Sequence, residues 1–127
     1  MTITFRPRAP LLALIMVTAT PLLAVADDLR WSAADTVDGN YVIAPGKSAE
    51  LCGMIDPRLP VDWQFQASGP VEFNIHRHDG NDIVYATRSY RTREQTGRFS
   101  PTLSRHWCWM WSNEGTTEVT VRVALKR

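Results

Sequence analysis

From Val61 onward the chain alternates. In VDWQFQA, Val61, Trp63, Phe65 and Ala67 fall on one side of an extended backbone, with Asp62, Gln64 and Gln66 on the other. Successive side chains of a strand point to opposite faces, so this pattern predicts a strand buried on one side. Ser68-Gly69-Pro70 reads as a turn. VEFNIHR repeats the alternation, setting Val71, Phe73 and Ile75 inward and Glu72, Asn74 and His76 outward. Asp79-Gly80-Asn81-Asp82 reads as a second turn, because Gly and Asn accept positive φ. IVYATRSY, Ile83 to Tyr90, is β-branched and aromatic enough for the next strand. TLSRHWCWMWSN and EVTVRVAL predict two more, the last with Val119, Val121, Val123 and Leu125 on one face. Earlier in the chain, YVIA and SAELCGM flank a Pro45-Gly46 turn as two strands. DLRWSAADTVDGN reads as loop, or an edge strand at most.

About seven short strands, separated by Gly, Pro and Asn turns and with no helix, predict an all-β fold, an antiparallel β-sandwich. The first 26 residues stand apart from it. Arg6 and Arg8 precede an apolar or small run from Leu11 to Val25, and Ala24-Val25-Ala26 supplies the small-x-small pattern of signal cleavage. The run is shorter than the ~20 residues that span a bilayer, which weighs against the alternative of a membrane anchor. Residues 1–26 are therefore expected to be a signal peptide and 27–127 a single domain, periplasmic or secreted. A domain of roughly 100 residues can bury one core.

Charge narrows the function classes. The chain has 14 Lys and Arg against 13 Asp and Glu, and loss of Arg6 and Arg8 leaves it near neutral. A general electrostatic role on nucleic acid or anionic lipid is thereby disfavoured. RSYRTREQTGRFSPTLSR, Arg88 to Arg105, is the local exception, with five arginines and one glutamate. It reads as a solvated Arg-rich loop, with an anion-binding surface as the alternative. The two cysteines, Cys52 and Cys108, have one available pairing, and in an oxidising compartment a disulfide between them is expected.

Candidate chemistry centres on FNIHRHDG. His76 and His78, one residue apart, project to the same side of a strand. Two imidazoles there, with Asp79 and with His106 from another strand, offer ligands for zinc or copper. Met110 would soften such a site toward copper, or pack in the core beside the disulfide. The other reading of the pair is an exposed, hydrogen-bonding strand face, since His-x-His alone completes no metal signature. Trp107, Trp109 and Trp111 share one face of their strand and read as core; exposed, they would form a stacking platform. There is no G-x-S-x-G, no H-E-x-x-H and no phosphate loop, and no free nucleophile if the cysteines pair. No enzyme is expected.

PVEFNIHRHDG, GRFSP and CWMWSN, in this order and with Cys52 and Cys108, resemble the GOLD domain, the luminal β-sandwich of the p24 (emp24/gp25L) proteins, and more closely its stand-alone bacterial relatives. The resemblance runs from Tyr41 to Leu125. It implies a sandwich with one disulfide and a role in binding a protein or small ligand, without catalysis. Cargo sorting is not implied, because Cys108 lies five residues before Asn113 where the p24 pattern has it three before. The expectation is a small exported binding module, monomeric or weakly associating, with ligand unspecified; the alternative is an exported zinc or copper protein using His76, His78 and His106.

Overall fold

The computed structural model describes residues 25–127, and the expected leader up to residue 24 lies outside the described residues. The alternating segments become seven strands: β1 (Val25–Asp28), β2 (Thr36–Ile43), β3 (Ser48–Ile55), β4 (Val61–Asp79), β5 (Asp82–Phe99), β6 (Arg105–Ser112) and β7 (Val119–Lys126). The fold is all-β, with the Cys52–Cys108 disulfide in place. β1, which begins with the last two residues of the expected leader, Val25 and Ala26, is an edge strand that pairs parallel to β3. Of the DLRWSAADTVDGN segment read as loop or edge strand, Asp28 ends β1 and Thr36 to Asn40 open β2. The other strand pairs are antiparallel.

Two of the strands are long. β4 has 19 residues and β5 has 18, and together they form one hairpin that runs through both layers. The first half of β4 pairs with β7 and the second half with β6, while β5 lies along its other side. The sheet order β1-β3-β6-β4-β7-β2 therefore curls around a shared strand. Ser68-Gly69-Pro70 is consequently a bend inside β4 rather than a turn. Between the pairs Gln66–Glu94 and Val71–Thr92, β4 advances further than β5. Pro70, which cannot donate to a ladder, sits in that interruption. The Arg-rich segment is likewise mostly strand, since β5 extends through Arg98.

The curl encloses one core. Trp109 and Trp111 are fully buried and Trp107 nearly so, so the tryptophan row of β6 faces inward. Phe73 packs on Phe65, Trp63 and Trp111 with ring centroids 4.8, 5.0 and 5.8 Å away. Such contacts add about 0.5–1.5 kcal/mol per pair to plain area burial. Gly97 of β5 is opposite Trp63, and the indole occupies the space a side chain would need: a Cβ there would lie 2.4 Å from Trp63 Cζ2. Asn113, which closes CWMWSN, is 1 % exposed. Its amide nitrogen donates to the carbonyls of Ile43 and Thr117, and its side-chain oxygen accepts from the Gly115 N–H. It thus locks the β6–β7 turn onto the end of β2.

Candidate binding face

The outer face of β3, β6, β4 and β5 is built from rungs that cross four strands. In one, Cys52 is opposite Cys108, Cys108 is opposite His76, and His76 is opposite Tyr85. In the next, Glu50, Met110, Asn74 and Arg88 follow in the same way. The inner face of the same strands carries the tryptophan row and Phe73, so the parity of β4 is as predicted even though its outer positions are not all wet.

His76 and Asn74 are the correction. Both are expected outward in solvent, yet they are 3 % and 7 % exposed. They do point away from the core, but flanking side chains roof them over: the disulfide on one side, Tyr85 and Arg88 on the other. His76 Nδ1 is 2.7 Å from Asn74 Oδ1, so the ring donates there and its Nε2 is left facing the Glu50 carboxylate, 3.8 Å away. Burial pushes the His76 pKa down; the Glu50 charge opposes this and His78 adds to it. Protonation of the imidazole is therefore disfavoured relative to a solvated histidine.

Around this buried centre the face is aromatic and basic. The Arg88 guanidinium carbon sits 4.4 Å from the Tyr85 ring centroid and 5.3 Å from that of Tyr90. Both tyrosines are open to solvent, at 42 % and 60 % exposure. β5 bulges here: Tyr90 and Arg91 together oppose Glu72 between the pairs Val71–Thr92 and Phe73–Ser89, which kinks the strand and re-aims its side chains. Arg91 has φ 52°, in the left-handed region that costs an L-residue about 1–2 kcal/mol. Exposed Met54 and Ile83 lie on the same face.

The candidate ligands are distributed as follows. His78 is exposed, its ring edge-on to His76 with centroids 5.2 Å apart. His106 is exposed on β6, opposite Met54. Asp79 is paired with Arg77 at 2.8 Å, which holds its carboxyl below the usual carboxylate range. Met110 is half-buried on the outer face, on the disulfide's side of β6 rather than in the core. Among the described residues, the one group of three or more His, Cys, Asp or Glu whose ligand atoms lie within 4.8 Å of one another is Glu50, Cys52 and Cys108. Its two sulfurs are bonded to each other. The three histidines do not gather into such a group.

Sequence reasoning missed Glu50, Tyr85 and Tyr90, and reached Arg88 only as one arginine of the Arg88 to Arg105 segment, under the alternative reading of an anion-binding surface. Period-two parity could have placed Glu50 on the histidine face once β3 was paired with β6. The tyrosine–arginine cluster depends on the bulge at Tyr90 and Arg91, which parity does not reveal.

No protein-family model matches the chain, and no curated protein does. Among solved structures, its fold is similar to that of Aeromonas hydrophila PliG, a periplasmic lysozyme inhibitor of g-type lysozyme. The TM-score is 0.60 over 82 % of this chain and 96 % of that one, at 9 % sequence identity. The likeness is one of fold. The resemblance to GOLD domains rests on the motifs quoted for it.

Proposed function

We propose that this chain is an exported, non-catalytic module that binds a protein, and that its partner is a glycoside hydrolase of the lysozyme class. The observation that carries the reading is Arg88 held between two exposed tyrosines on a rigid sheet. Arg and Tyr are the residue types that concentrate binding energy at interfaces, and a stacked guanidinium gives up little freedom when it meets a carboxylate. Glycoside hydrolases offer a matching target, because their clefts carry a pair of carboxylates across the scissile bond. The PliG-like fold supplies the specific partner to test, a g-type lysozyme.

Export is supported by the disulfide, which persists in oxidising compartments, and by the leader-like segment ending at Ala26. The non-catalytic reading is supported by the state of the reactive groups. Both cysteines are joined, and His76 is buried with Nδ1 committed to Asn74. The test is lysis of a bacterial cell-wall suspension by a g-type lysozyme, with and without the oxidised protein. Dose-dependent inhibition, weakened by Arg88→Ala, is expected; undiminished lysis at high molar excess would sink the proposal.

A further inference from the structure

The other layer has an outer face of a different kind. Its rungs cross β2, β7, β4 and β5. Thr36, Lys126, Asp62 and Arg98 form one; Asp38, Ala124, Gln64 and Thr96 form the next; Asn40, Arg122, Gln66 and Glu94 form the third. On β7 the middle rung sets Ala124 between the long Lys126 and Arg122, and on β5 it sets Thr96 between Arg98 and Glu94. The face is therefore a trough floored by Ala124. Two open depressions of about 810 and 510 Å³ lie along it, and both are lined by Asp38, Gln64, Thr96 and Ala124.

The lining specifies a ligand class. Asp38, Asp62 and Glu94 are balanced by Arg98, Arg122 and Lys126, and Asp62 already pairs with Arg98 at 3.2 Å. A balanced wall gives neither an anion nor a cation a net attraction. Asn40, Gln64 and Gln66 each present a donor and an acceptor on one planar group, and all three are exposed. Alternating donors and acceptors in a neutral trough match a chain of hydroxyl groups, each of which both gives and takes a hydrogen bond. Four strands at about 4.8 Å spacing make the trough roughly 14 Å long, and its long-rung walls stand i to i+4 apart.

We propose that this trough is a binding site for a neutral oligosaccharide, on a face separate from the tyrosine–arginine cluster and independent of the lysozyme reading. Ala124→Tyr fills the floor from an outward-facing position of β7 and leaves the core residues Val123 and Leu125 in place. Gln64→Ala/Gln66→Ala removes the amides without adding bulk. The probes are the tetramer of N-acetylglucosamine and cellotetraose, titrated by calorimetry and followed by amide chemical shifts. Expected is one-to-one binding of at least one probe, with shifts centred on the Ala124 rung. Affinity falls at least about tenfold in both variants and is unchanged in Arg88→Ala. No binding of either probe, shifts centred elsewhere, or equal affinity in the folded variants would overturn the assignment.

Discussion

His76 donates its Nδ1–H to Asn74 Oδ1 across 2.7 Å, two residues apart on one strand and both roofed over by their neighbours. This fixes the orientation of the ring and turns its second nitrogen toward Glu50, while burial disfavours the charged form. The pH dependence follows from the lowered His76 pKa. Above about 6.5, the ordinary imidazole value, the group is neutral whether folded or unfolded and contributes no slope. As pH falls below that value, the unfolded chain takes up a proton that the folded chain resists, so stability decreases until the folded pKa is passed. Urea unfolding of wild type and His76→Gln at pH 7.5 and 5.5 measures this. The wild type should lose more stability between the two; equal losses would contradict it.

Asn74 should matter for the same reason. Asn74→Ala leaves a buried Nδ1–H without its acceptor, a loss of about 1–3 kcal/mol. Thermal unfolding of that variant, beside the surface control Asn81→Ala, gives the comparison.

The strand class, the parity of β4, β6 and β7 and the disulfide were legible from the chain because each rests on local alternation or on having only two cysteines. The continuity of β4 through Ser68-Gly69-Pro70 was not. Turn residues signal a change of direction, and only the pairing with β5 on one side and β7 then β6 on the other shows that the change is a bend. The burial of His76 was hidden for a related reason. Parity says which way a side chain points, while its exposure depends on what stands beside it on the neighbouring strands. Here those neighbours are Cys108 and Tyr85, the latter brought opposite by a register shift between Ile75 and His76.

Gly97 is required by the core. With Trp63 Cζ2 only 2.4 Å from where a Cβ would be, Gly97→Ala must displace a buried indole or move two strands apart. Overpacking of this kind costs about 1–3 kcal/mol. A drop in melting temperature is expected for Gly97→Ala, and little change for Thr96→Ala on the outer face.

The Cys52–Cys108 bond joins β3 to β6 across a sequence separation of 56. On loop entropy alone, it stabilises the fold by about 4 kcal/mol. Denaturant titration of Cys52→Ala/Cys108→Ala against the oxidised protein should show a loss of that order; equal midpoints would contradict it.

Zinc and copper test the alternative function. His76 is sealed and bonded to Asn74, and the three imidazoles do not form a compact ligand set. Calorimetric titration of Zn²⁺ and Cu²⁺ into the oxidised protein should show no one-to-one binding at or below about micromolar Kd. Tight binding that disappears in His76→Ala/His78→Ala would restore the histidine pair as a metal site.

The central claim concerns the face that carries Arg88. Its most direct measurement is calorimetric titration of the oxidised protein with a purified g-type lysozyme, for wild type, Arg88→Ala and Tyr85→Ala. The account predicts a one-to-one complex weakened by at least about 2 kcal/mol in Arg88→Ala, the threshold of an interface hot spot. Absence of binding, or a complex as strong in Arg88→Ala as in the wild type, would contradict it.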